Sequence, residues 1–306
     1  MATEKGLSLT GVCRQLGYSK QAYYKSLSRR KVTTLKKEQI KQKVLSVRHL
    51  LPQLGTRKLY KLLGEDFKRQ EIKMGRDRLF DLLREESLLV VRKRKYVKTT
   101  DSRQWMRQYP DLAKGIDLLR PEQLWVADIT YLSTGQGYCY LHLITDAYSK
   151  KIMGYQLSKQ LAASATLQAL KRALKTRKYS HPLIHHSDRG LQYCSKEYTG
   201  LLKQNNISIS MTQTGSPYDN AIAERINGIL KQEFGLDDQF DGLEQAEKQV
   251  DEAVALYNNL RPHLSNHYLT PAQMHEQNSL KPKIWHKKTT SSSTESGGFL
   301  SSNQFN

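Results

Sequence analysis

The chain has 306 residues, 38% of them hydrophobic, with three cysteines and a net charge of +20. That length accommodates two or three domains, and Cys13, Cys139 and Cys194 are too scattered for a disulfide framework or a zinc pair. No apolar run approaches the ~20 residues of a membrane span and no apolar stretch opens the chain, so the expectation is a cytoplasmic protein without a membrane partner. The charge is uneven: residues 1–100 hold 26 Lys and Arg against 9 Asp and Glu, whereas residues 101–306 hold 23 against 20. A basic front joined to a near-neutral body points to a module for a polyanion. The turns that punctuate it favour nucleic acid over an anionic membrane.

Residues 1–34 read as an N-terminal helix-turn-helix. Leu9, Val12 and Leu16 fall at helical spacing, Gly17-Tyr18 makes the turn, and Ser19 is a natural N-cap. The second helix would turn Ala22, Tyr23 and Leu27 inward and Lys20, Gln21 and Tyr24 outward, toward a DNA groove. Residues 35–91 form a second helical DNA-binding segment. Thr56 can cap a helix with Leu59, Leu62 and Leu63 on one face, and Leu79, Leu82 and Leu83 repeat the stripe. Arg57 and Arg76 belong to the opposite, DNA-facing sides. Residues 92–119 are a basic linker whose VRKRKYVKTT tract, with Arg94, can lie along phosphates.

From residue 120 the pattern changes. LWVADITYL, YCYLHLITD and KIMGYQLS are strand candidates, the first two joined by a GQG turn. A helix, the strand HPLIHHSD, a second helix, the strand ISISM and two more helices follow, predicting a mixed sheet flanked by helices over 120–278. Residues 279–306, rich in Ser and Gly, are expected to be a disordered tail.

Three acids stand out by position. Asp128 lies mid-strand, Asp188 ends an apolar strand, and Glu224 lies in the first turns of the helix after SPYDN. At an effective dielectric near 20, two carboxylates about 4 Å apart repel by about 4 kcal/mol, so such a cluster needs cations or raised pKa values. Oxygen donors without Cys select Mg²⁺ or Mn²⁺ over zinc. Two such ions beside a basic nucleic-acid surface suit phosphoryl transfer. Asp146, near a strand end, is a lower-ranked competitor, and His185 and His186 read as packing and hydrogen-bonding residues, with DNA contact by His186, beside Asp188, as the alternative. Asn220, Glu224 and Lys231 fall close to one stripe of a 3.6-residue helix.

The segments WVADITY (125–131), HSDRGLQY (186–193) and SPYDNAIAE (216–224) resemble the bacterial insertion-sequence transposases with a retroviral-integrase-like DDE core. Thirty-five residues separate Asp188 from Glu224, and Lys231 lies seven beyond the Glu, as in that group. Tyr257-Asn258, Arg261-Pro262-His263 and Thr270-Pro271 resemble its closing motif. The resemblance implies an RNase H-like fold for the core and a helix-turn-helix in front of it. It implies that Asp128, Asp188 and Glu224 are catalytic and hold two Mg²⁺ (or Mn²⁺) ions, and that Ser216, Asn220, Arg189 and Lys231 touch DNA. It further implies nicking of element ends to free 3′-hydroxyls, strand transfer into double-stranded DNA by a copy-out, paste-in route, and a bacterial, nucleoid-associated setting. A homodimer or larger synaptic assembly, with an upstream-frame protein as a further partner, belongs to the same expectation. The alternatives are a nuclease of the same fold that does not join strands, and a catalytically silent DNA-binding regulator.

Overall fold

Ser19 caps the first long helix: its hydroxyl accepts a hydrogen bond from the Ala22 amide at 3.0 Å. The computed structural model describes residues 8–91, 109–213 and 221–283. Helix α1 (Leu9–Gln15) is short, and α2 (Lys20–Leu50) runs 31 residues without a break. The boundary expected at 34 therefore falls inside α2, because SRRKVTT contains neither Gly nor Pro to stop a helix. Ala22 and Tyr23 are exposed and Leu27 is half-buried, contrary to the inward face expected of them. Burial on α2 begins at Ile40 and Val44. Helices α3 (Thr56–Arg69) and α4 (Arg76–Glu85) follow. Gly55, not Thr56, is the N-cap of α3, and Thr56 is buried in its first turn. The expected stripe is otherwise present, with Leu59, Leu63, Leu79, Leu82 and Leu83 buried and Leu62 packed beside them.

Strand β1 (Leu124–Thr134) turns at Gly135-Gln136 into β2 (Gly137–Asp146), which is antiparallel to it, and β3 (Ile152–Ser158) is antiparallel to β2. Helix α5 (Ala163–Thr176) then carries the chain across the sheet to β4 (Leu183–Ser187), which is parallel to β1. Helix α6 (Lys196–Gln204) does the same for β5 (Ile207–Met211), parallel to β4. The order β3-β2-β1-β4-β5, three meander strands followed by two parallel crossovers, is the RNase H-like sheet. Part of the stretch expected to be linker lies against its β5 edge. The Leu112 amide donates to Ser210 Oγ at 2.8 Å, and Met211 N–H donates to the Pro110 carbonyl at 3.3 Å.

Helices α7 (Ala221–Glu233), α8 (Leu243–Asn259) and the one-turn α9 (Pro271–His275) close the fold, α9 behind a Thr270/Gln273 capping box. Two main cores result. On one face of the sheet, Leu132, Leu141 and Leu143 share a cluster with Ile226 and Ile229 of α7, Val250 and Val254 of α8, and the apolar stripes of α2, α3 and α4. The basic helices therefore pack in the same core as α7. On the other face, α5 and α6 cover Trp125, Ile144, Ile207 and Ile209.

Gly154 marks the tightest contact on that second face. A Cβ there would lie 2.2 Å from the Ala169 carbonyl oxygen and 2.5 Å from the Ala173 amide of α5. Both neighbours are backbone, so nothing can swing aside. Gly154→Ala is expected to destabilise the protein by about 1–3 kcal/mol, read as a lower midpoint in urea unfolding.

Candidate active site

The parallel register of β1 and β4 pairs Leu124 with Ile184, Trp125 with His185 and Val126 with His186. Continued by two residues, that register leads to Asp128 within β1 and to Asp188, one residue past the end of β4. Neighbouring strands run about 4.8 Å apart, and the two acids are near enough that the Asp188 charge acts on Asp128. Asp188 leaves β4 in a tight turn, its Oδ1 accepting the Gly190 amide at 2.9 Å. A Cβ at Gly190 would come within 3.0 Å of that oxygen.

Helix α7 lies over Asp128. Asn227 Nδ2 donates to Asp128 Oδ2 at 2.6 Å, and Asn227 is buried. Glu224 occupies the exposed first turn of α7, while Lys231 in its last turn is half-buried, with Nζ 4.2 Å from the centre of the Tyr131 ring. Glu224, Asn227 and Lys231 stand at i, i+3 and i+7, on one stripe. Asn227 was not singled out from the sequence, although its place between Glu224 and Lys231 on that stripe was a signal for it.

Burial, then the charge of Asp188, and more weakly that of Glu224, push the Asp128 carboxyl up to about 7; the Ile129 amide and Asn227 oppose this. Burial also raises Asp188, against the pull of the Gly190 amide. Burial lowers the Lys231 ammonium, with Asp237 and Asp128 acting the other way. Asp128 therefore feels Asp188 and Glu224, Lys231 feels Asp128, and the two aspartates hold their charge at a cost. Such a pair fits a hard divalent cation, which would offset that cost. Among the described residues no three His, Cys, Asp or Glu side chains stand together closely enough to hold a metal ion, and Glu224 reaches the aspartates only as the weakest of the charges acting on Asp128.

The remaining expected residues are dispersed. Lys20, Gln21 and Tyr24 stand exposed on α2, Arg57 on α3, and Arg76 on α4, where it pairs with Asp77 at 2.8 Å. Ser216, Asn220 and Arg94 lie outside the described residues. The Arg189 guanidinium donates to the Thr212 carbonyl at 2.7 Å and to the Gln213 carbonyl, clamping the end of β4 to the end of β5. Those two bonds engage Nε and Nη2 with backbone, and the side chain stays half-exposed.

Asp146 is likewise occupied, accepting from the Glu122 and Ser149 amides at 2.8 Å each and from Ser149 Oγ at 2.5 Å. His185 Nε2 meets the Tyr198 hydroxyl at 2.9 Å, and burial takes its imidazole down to about 3. His186 Nδ1 meets Ser210 Oγ at 2.8 Å. The closing motif is internal. Asn258 bonds both backbone groups of Ile152 at 2.9 and 3.0 Å, Tyr257 donates to the Lys150 carbonyl at 2.8 Å, and Arg261 pairs with Glu233 of α7.

Two family models described as "Integrase core domain" match residues 119–217 and 205–271. The chain is 32% identical over 270 residues to an insertion element IS600 uncharacterized 31 kDa protein of Shigella sonnei, covering 87% of this chain and 98% of that one. It is 38% identical to a transposase for insertion sequence element IS629 of Shigella sonnei, spanning 58% of each. Among solved structures, the HTLV-2 integrase catalytic core domain in complex with magnesium aligns with 51% of this chain and 98% of its own, at 22% identity and a TM-score of 0.42.

Proposed function

The chain belongs to the insertion-sequence transposases with an integrase core, and from that premise we propose that it nicks the ends of its element and joins them to target DNA. What supports this reading is that Asp128, bonded to Asn227 of α7, feels the charges of Asp188 and Glu224, and that its carboxyl is held up to about 7, mainly by burial.

In this reading Asp128, Asp188 and Glu224 would hold two Mg²⁺ or Mn²⁺ ions. Bound there, the ions would activate the attacking oxygen and stabilise the leaving one. The protein's own groups have separate tasks. Asn227 fixes the rotamer of Asp128, so the carboxylate need not be reoriented when charge develops. The Gly190 amide does the same for Asp188. Lys231 stands close enough to Asp128 to feel its charge, and would take a phosphate oxygen beside the acids. The exposed basic residues of α2, α3 and α4 would grip the duplex backbone and make binding steeply salt-dependent. Two element ends must be processed together, so a dimer or larger assembly on DNA is part of the proposal, as is an upstream-frame partner. Among the described residues no helix is long and apolar enough to cross a membrane.

The test is a joining assay with labelled duplexes from both flanks of the coding sequence, Mg²⁺ and a supercoiled target. Joined product is the expected result. Cleavage without joining would replace this reading with a nuclease, and retarded but uncut DNA with a regulator.

A further inference from the structure

Glu233 ends α7 two residues beyond Lys231, and three segments meet on it. Arg261, just beyond α8 and 1% exposed, grips it with two parallel bonds, Nε to Oε2 at 2.8 Å and Nη2 to Oε1 at 2.7 Å. Lys58 reaches the same carboxylate from α3 at 3.2 Å, its side chain as shielded as that of Glu233, both 19% exposed. His263 Nε2 meets Arg261 Nη1 at 2.8 Å behind them.

The bidentate Arg261 already satisfies Glu233. Lys58 is therefore an added cation in a shielded place, facing not only Glu233 but also Arg261 and Arg225 of α7, and His263 feels its charge. An apolar side chain would pack there at lower cost. What a lysine supplies, and an apolar residue cannot, is a directional tie between α3 and α7. Its neighbours Arg57 and Lys61 are exposed on the same helix, so a duplex that moves α3 would move this tie.

We propose that Lys58 is a positioning residue: it couples the basic helix α3 to the end of α7, so that seating a DNA duplex on α3 orders the helix that carries Glu224, Asn227 and Lys231. This rests on the proposed function above. The tie requires a charged Lys58, and burial, followed by Arg261, takes that ammonium down to about 8. Above that pH the tie is lost as the proton leaves. Arginine at 58 would keep its charge.

The experiment uses the full chain, an element-end duplex, and the variants Lys58→Met and Lys58→Arg. Lys58→Met leaves the Arg261–Glu233 pair intact and is expected to fold with an unchanged circular dichroism spectrum. Wild-type protein should show slowed hydrogen exchange in residues 226–233 when duplex binds. Lys58→Met should bind duplex within about twofold of wild type but lose that slowing, and join ends about tenfold more slowly at saturating DNA. Lys58→Arg should restore both, and its joining rate relative to wild type should rise above pH 8. Slowed exchange that persists in Lys58→Met overturns the coupling, as does a weaker affinity with an unchanged rate at saturation, which would make Lys58 a plain DNA contact. If wild type binds duplex without joining it, the proposed function fails, while the exchange data still decide the coupling.

Discussion

Asp188→Asn is expected to lower joining by roughly 10³-fold or more while leaving the fold intact and more heat-stable in metal-free buffer at pH 8. The two effects share a cause. Asp128 and Asp188 both have carboxyls raised mainly by burial, and Asp188 adds its charge to the burden on Asp128. An acid whose pKa is raised on folding binds its proton more tightly in the native state. Stability from Asp128 therefore falls as pH climbs from the usual carboxylate range through about 7, and stays lost above it. Removing the Asp188 charge lowers the Asp128 pKa again and returns part of that stability. Mg²⁺ should offset the same repulsion in wild type, raising its melting temperature more at pH 8 than at pH 6. In Asp188→Asn the ion should raise it much less. Calorimetric scans at the two pH values, with and without Mg²⁺, check each sign. A variant that joins at the wild-type rate would remove Asp188 from the chemistry. A variant that melts lower at pH 8 would show that its carboxylate is instead a structural asset.

Of the three acids legible in the sequence, only Asp128, mid-strand, sits where a carboxylate is costly without a partner; Asp188 at a strand's end and Glu224 in an exposed first helical turn sit where acids are common, and they stand out by their motifs and spacing alone. The core strands and helices were legible for a related reason. Their periods of 2 and 3.6 repeat in uninterrupted runs, and tight turns mark the hairpin. Two kinds of feature did not show. The first is continuation. The expected boundary at 34 falls inside α2, which continues because nothing in SRRKVTT breaks a helix. The second is long-range polar pairing. Asn227 meets Asp128 across 99 positions, Lys58 meets Glu233 across 175, and the Arg189 donors turn to backbone on β5's exit. No local period encodes such pairs, since each depends on how finished elements dock. Gly154 belongs with them. As a lone glycine in a strand it signals close approach of something, but only the seating of α5 on β3 identifies the Ala169 and Ala173 backbone as the neighbours.

Glu233→Ala is expected to cost about 3–5 kcal/mol, far more than an exposed ion pair would. The reason is what remains. Arg261 is 1% exposed and would be left beside the Lys58 ammonium with its Glu233 counter-charge gone. His263 behind it, held far below its ordinary pKa by burial and by Arg261, offers only a neutral ring. At about 2–4 °C per kcal/mol for a chain of this order, the melting temperature should fall by about 10 °C. The double variant Glu233→Leu/Arg261→Met separates the two possible origins of that loss. If the cost lies in an unpaired buried charge, removing both partners should restore most of the stability. If it lies in lost packing at the end of α7, the double variant should melt as low as Glu233→Ala. Joining activity should diverge from stability in the double variant. A leucine side chain at position 233 can hold the core but gives Lys58 no carboxylate, so α7 would be stable and yet uncoupled from α3.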